Sequence, residues 1–161
     1  MKQIANDIFF QQVEQELRQG NTVMIPLKGH SMYPFIRDGK DKVLLAEVSD
    51  RNQLKKLDIV LFRYNGKHIL HRIVAIDGFN CTIQGDGIYA SKEYCKKTDI
   101  VALAVEIHRL RTDGSYNTIQ VSSSGWRFLS ALWLLLSPLR RYLLYILRCP
   151  FLNYYKKDKV K

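Results

Sequence analysis

A serine in a constrained turn and a histidine in an apolar run are the residues of this chain whose types could together break a peptide bond. The serine is Ser31, in Gly29-His30-Ser31-Met32-Tyr33-Pro34, and the histidine is His71, in Ile69-Leu70-His71-Arg72-Ile73-Val74. A serine hydroxyl is a weak nucleophile until a neighbouring base takes its proton. An imidazole with its ordinary pKa of about 6.5 suits that task at neutral pH. In this chemistry Ser31 attacks a carbonyl, His71 takes the proton and returns it to the leaving amine, and backbone N–H groups of the Ser31 turn meet the oxyanion. The plainer alternatives are an ordinary turn serine and a half-buried strand histidine.

The neighbours of these two residues narrow the choice. Gly29 permits tight backbone geometry just before the serine, and Pro34 restricts the backbone after it. His68 stands three residues before His71 and would point to the opposite face of a strand, so only one of the two can face Ser31. His30 adjoins the serine and reads as structural, and His108 lies outside these motifs. No lysine occupies the His71 position, and a strand would carry Lys67 well away from it.

The elements that must position the pair follow from periodicity and turn signals. Ile8, Phe9, Val13 and Leu17 recur at helical spacing within residues ~4–19, and Gly20-Asn21 stops that helix. Strands are expected over 22–27, 42–48 and 58–64. Asn65-Gly66 then signals a hairpin into 67–76, and Asp77-Gly78 turns into 81–84. Further strands are expected at 100–110 and 116–121. Short strands separated by glycine turns predict a mainly β fold, a coiled antiparallel sheet resembling a barrel, with an amino-terminal helix. The organisation is a helix over 1–21, a sheet domain over 22–121, and a linker with apolar, basic helices over 122–161.

Four motifs now stand in order: Ser31-Met32-Tyr33-Pro34, the strand Leu57-Asp58-Ile59-Val60-Leu61-Phe62, His71-Arg72-Ile73-Val74, and Gly85-Asp86. Over roughly residues 22–105 the chain resembles the type I signal peptidases and the related SOS-type repressor peptidases. The His-Arg form is similar to the endoplasmic-reticulum and archaeal branch, which uses serine and histidine rather than serine and lysine. The resemblance implies a serine endopeptidase with Ser31 as nucleophile and His71 as general base, acting on leader or signal-like peptides docked as an added strand, without cofactor or metal. It also implies an acid that orients the imidazole. Asp86 is the first candidate, although Gly87 stands where the family has Asn, and Glu93 is the second. A non-catalytic peptide-binding module and a self-cleaving regulator are the alternatives within the same resemblance.

Charge and composition bear on partners. The chain of 161 residues carries a net charge of +10, with its basic residues crowded toward the carboxyl end. From Trp126 onward there are Arg127, Arg140, Arg141, Arg148, Lys156, Lys157, Lys159 and Lys161 against Asp158 alone. Beside the apolar runs Trp126–Leu136 and Tyr142–Leu147, this predicts an anionic membrane surface as partner of residues 126–161. Spanning needs about 20 uncharged residues, so interfacial helices are expected, with Trp126, Trp133, Tyr142 and Tyr145 in the headgroup zone. The alternative is a helical hairpin packed on the sheet or on a second copy. Nucleic acid is not expected, because no helix-turn-helix pattern precedes the serine. Lys2, Asp7, Glu14 and Glu16 break any amino-terminal signal-peptide pattern, and the basic end favours the cytoplasmic face. Three cysteines, Cys81, Cys95 and Cys149, have no metal-ligand spacing and read as free thiols, with a Cys81–Cys95 disulfide as the other option.

Overall fold

The computed structural model describes residues 2–148, and side-chain surroundings from residue 8 onward. It contains helix α1 (Lys2–Arg18), then strands β1 (Val23–Pro26), β2 (Asp41–Glu47), β3 (Ile59–Tyr64), β4 (Lys67–Asp77), β5 (Asn80–Gln84), β6 (Glu93–Lys96), β7 (Ile100–Leu110) and β8 (Tyr116–Gln120). Helices α2 (Ser124–Leu135) and α3 (Arg140–Arg148) close the described chain, joined by a short 3₁₀ turn at Ser137–Leu139. The strands form one antiparallel sheet in the order β1-β2-β7-β3-β4-β5-β6, with β8 also beside β7. Asn65 and Gly66 both take positive φ (49° and 72°) and make the two-residue β3–β4 hairpin that their sequence predicts.

The expected barrel does not close. β1 and β6 end the sheet on opposite edges, and no ladder joins them. Register shifts at Leu44/Leu45, Leu61/Phe62 and Ile73/Ala75 bend the strands instead. The bent sheet has two cores. Ile59 and Leu61 of β3 face a cluster with Ile25, Val43, Leu45 and Ile107, into which α1 inserts Val13 and Leu17. Val60 and Phe62 face a second cluster with Ile73, Ile83 and Ile100. Burial on both faces explains why β3 reads as an uninterrupted apolar run rather than an alternation.

The carboxyl-terminal region differs more from expectation. Ser124 and Gly125 form the first turn of α2, so the linker expected at the start of 122–161 ends at Ser123. Trp126 and Trp133, expected at a lipid headgroup level, are buried against Phe35, with ring centroids 5.1 and 6.0 Å away. The inner face of the hairpin therefore packs on the sheet domain. Among the described residues no helix is long and apolar enough to cross a membrane. Residues 149–161, with Cys149 and the four terminal lysines of the basic tail, lie outside the described residues. Cys81 and Cys95 are free, buried, and directly opposite one another across β5 and β6. Burial pushes the Cys95 thiol up to about 12, and proximity to Cys81 and Asp99 adds to the shift.

Candidate functional site

The Ser31 turn is anchored at both ends. Gly29 takes a φ of +98°, a conformation that suits glycine, and its N–H donates to Asp38 Oδ1 at 2.7 Å. Met32 and Ile36 bury their side chains in the first core, and the Ile36 N–H donates to the Met32 carbonyl at 2.9 Å. Two core anchors flank the turn, so its hydrophobic residues fix its position while Ser31 stays half-buried. The Tyr33–Pro34 peptide is cis.

The β4–β5 ladder brings His71 to this turn. Arg72 pairs with Gln84, the last residue of β5, so Gly85 is the next position opposite His71. A Cβ on Gly85 would stand 2.9 Å from His71 Nε2 and 3.1 Å from its Cδ2, and would also collide with the Ser31 carbonyl oxygen. The Ser31 carbonyl oxygen and the Nε2 edge of His71 therefore both pack against one glycine, whose side chain would collide with each. Gly87 does the same one step on: a Cβ there would collide with the His30 carbonyl and stand 3.0 Å from the Tyr33 carbonyl. Its N–H donates to the Ser31 carbonyl at 2.8 Å, tying the two loops together. Gly87, which breaks the Gly-Asp-Asn pattern, is thus the residue that lets the 85–87 segment run beneath the serine turn.

The other ring nitrogen of His71 has its own partner. Nδ1 lies 3.2 Å from Glu93 Oε2. Glu93 begins β6, an edge strand that the sequence reading did not resolve, and β6 places it beside Ile83 of β5. With Glu93 accepting from Nδ1–H, Nε2 is left as the lone-pair nitrogen on the Ser31 side. Burial lowers the His71 pKa below its usual value, and Glu93 opposes that shift, followed by Asp86. The net shift favours the neutral imidazole, the form a general base needs.

Asp86, the first candidate for orienting the imidazole, is engaged elsewhere. Its two oxygens accept from Arg72 Nε at 2.9 Å and Arg72 Nη2 at 2.8 Å. Arg72 is fully buried at 0% exposure, with Asp86 at 1%. Its remaining nitrogen, Nη1, donates to the Leu57 carbonyl and to Ser130 Oγ, both at 2.9 Å. Strand alternation puts Arg72 on the face opposite His71. That face is covered by α2, which makes the pairing with Asp86 obligatory, since a buried unpaired charge is costly.

Sequence reasoning missed the hairpin's part in holding the site. Trp133 Nε1 donates to the Asp86 carbonyl at 3.1 Å, and Arg140 Nη1 donates to Gln84 Oε1 at 3.0 Å. Arg148 Nη2 donates to the Gly87 carbonyl at 2.9 Å, and Tyr33 OH to the Leu147 carbonyl at 3.3 Å. The two helices brace the Gln84–Ile88 segment from behind while the serine turn presses on its front. The available signal was the regular placing of tryptophan and arginine within apolar runs, which suits a buried polar network as well as a lipid interface.

A groove of about 460 Å³ runs from Ser31 along β1 to α1, floored by Ile25, Leu61 and Leu70. Among the described residues no group of three or more His, Cys, Asp or Glu side chains is placed to hold a metal ion. No protein-family model and no curated protein matches the chain.

Proposed function

We propose that this chain is a serine endopeptidase of signal-peptidase type that cuts leader or signal-like peptides. Ser31 is its nucleophile, His71 its general base and Glu93 the residue that positions the imidazole. The observation that carries this reading is the two-sided placement of His71, with Nδ1 on Glu93 and Nε2 at the glycine shared with Ser31. In the reaction Nε2 takes the hydroxyl proton as Ser31 Oγ bonds to the scissile carbonyl carbon. The imidazolium that forms is stabilised by the Glu93 carboxylate, and it returns the proton to the leaving amine as the C–N bond breaks. Water then repeats the cycle on the acyl-serine. Backbone N–H groups of the Ser31 turn meet the oxyanion. The substrate lies extended along the free edge of β1, which pairs with β2 on one side only. Labelling with a phosphonylating serine probe tests the reading: the adduct is expected on Ser31, and in a His71→Ala protein the rate should fall by orders of magnitude. Equal labelling of the two proteins rules out the pair as a catalytic unit.

The same proposal includes an anionic membrane surface as partner through residues 126–161. Support comes from the outer face of the hairpin, where Phe128, Leu135, Tyr142 and Tyr145 are 65–77% exposed beside Arg141. Apolar side chains next to cations are what an interfacial helix presents to anionic headgroups. Sedimentation with vesicles of zwitterionic lipid, with and without anionic lipid, checks it. Binding that appears only with anionic lipid and weakens in salt is expected, and no binding to either removes the membrane from the proposal.

A further inference from the structure

We infer that Phe9 and Phe10 of α1 form a specificity wall for the substrate, selecting a bulky apolar side chain at a position removed from the scissile bond. This rests on the endopeptidase reading of Ser31 but adds residues from outside its motifs. The groove that starts at Ser31 is lined at its far end by both phenylalanines. At about 460 Å³ it is in the size range of pockets that hold several side chains, far beyond what one small residue at Ser31 would fill. Its floor of Ile25, Leu61 and Leu70 is apolar, so desolvation favours an apolar occupant.

The wall is built rather than incidental. Val13 and Leu17 fix α1 into the core, and Glu14 bonds His68 Nε2 at 2.9 Å and also pairs with Arg63. Phe10 stacks on the His68 ring, with centroids 4.4 Å apart and planes 14° from parallel. Phe9 meets Phe10 edge to face at 5.2 Å, yet 40% of Phe9 remains exposed at the groove. An aromatic pair held in place by a helix, a histidine and an ion pair, but left open toward the groove, has an unfilled apolar face where an extended peptide on the β1 edge would pass. The occupant is therefore a side chain of the substrate itself.

The test uses the Ser31→Ala protein, which binds without turnover, and fluorescent alanine–glycine peptides carrying one phenylalanine at successive positions. One position is expected to raise affinity about 10-fold or more over the parent peptide, the scale of discrimination by an apolar pocket. Adding Phe9→Ala, at an exposed site, should remove most of that gain. Phe10→Ala should do the same. A flat scan overturns the inference, as does a Phe9→Ala protein that binds every peptide equally more tightly, because α1 would then be a cover and not a selector. If the preference is present but the protein with Ser31 intact cleaves none of the bound peptides, the endopeptidase reading fails and the selectivity of the groove stands.

Discussion

His68 and His71 stand three residues apart on β4, and each is bonded to a glutamate. His68 uses Nε2 to reach Glu14, while His71 uses Nδ1 to reach Glu93. The chemistry of the pairs is alike, but the nitrogen left over differs in its surroundings. At His68 the ring is stacked on Phe10 and tethers α1 to the sheet. At His71 the Nε2 edge is packed beside Gly85, next to the Ser31 turn. A histidine–carboxylate pair is catalytic only when its free nitrogen faces a nucleophile, and strand alternation lets one strand carry a structural copy and, on the proposed endopeptidase reading, a reactive one.

The largest expected effect separates the two copies. On one cleaved peptide, His71→Ala should lower kcat/KM by about 10⁴-fold or more, the scale for losing a member of a nucleophile–base unit. His68→Ala should leave kcat within a few-fold and act on thermal stability and on α1. Steady-state kinetics of the two variants check this; comparable losses of kcat would erase the distinction.

Next come the two acids near His71, which are expected to fail differently. Glu93→Gln keeps the shape of β6 but removes the charge that steadies the imidazolium. A fall in kcat of about 10²- to 10⁴-fold with little change in Tm is expected, by analogy with triad carboxylates. Asp86→Asn leaves the buried Arg72 guanidinium without its counter-ion, and breaking such a pair costs about 3–5 kcal/mol of stability. Denaturant unfolding beside kcat sorts them. A stable but slow Asp86→Asn protein, or an unfolded Glu93→Gln protein, would reverse the assignments.

The contrast between these acids also marks where sequence was sufficient. The strand positions from β1 to β5, β7 and β8 were legible because short apolar, β-branched runs and the Asn-Gly and Asp-Gly turns between them are local signals. Ser31 and His71 were legible because each sits in a short run with its own pattern. Glu93 was harder, since β6 is a four-residue edge strand whose burial pattern follows from pairing with β5 and not from its own residues. Arg72 and Asp86 could not be paired on paper because their partner face is covered by α2, whose Ser130 lies 58 positions beyond Arg72 in the chain. The hairpin shows the deeper limit: an apolar run with tryptophan and arginine fits a lipid interface and a buried network equally, and only the packing of α2 and α3 on the sheet assigns their inner faces to the network.

The acidity of the base gives a finer test of the His71–Glu93 pair. Burial holds the His71 pKa below 6.5, and Glu93 pulls it back toward that value. The acid limb of the kcat/KM profile should therefore fall below pH 6.5 and move lower still in Glu93→Gln, although that protein is slower throughout. Stability has its own sign. Because the folded pKa is depressed, the unfolded chain binds the proton more readily, so His71 costs stability as pH falls from about 6.5 toward the folded value. The His71→Ala protein should lack that slope. An acid limb above pH 6.5 would mean that the Glu93 charge outweighs burial.

The smallest expected effect lies at the structural copy. Burial raises the Glu14 carboxyl, but its bonds to Arg63 and His68 outweigh this and hold its pKa below 4.5. Its contribution is therefore present above about pH 4.5 and is lost as pH falls through the lower folded value. Arg63 and Arg18 are more than half exposed, so water screens both ion pairs and the whole group is worth only about 1 kcal/mol. Glu14→Gln should lower stability by about that amount at pH 7 and flatten the acid limb of the stability profile. It should leave the pH dependence of cleavage, which the proposal assigns to His71, unmoved. If Glu14→Gln instead shifts the acid limb of kcat/KM, α1 communicates with Ser31 through His68, and the two halves of β4 are not independent.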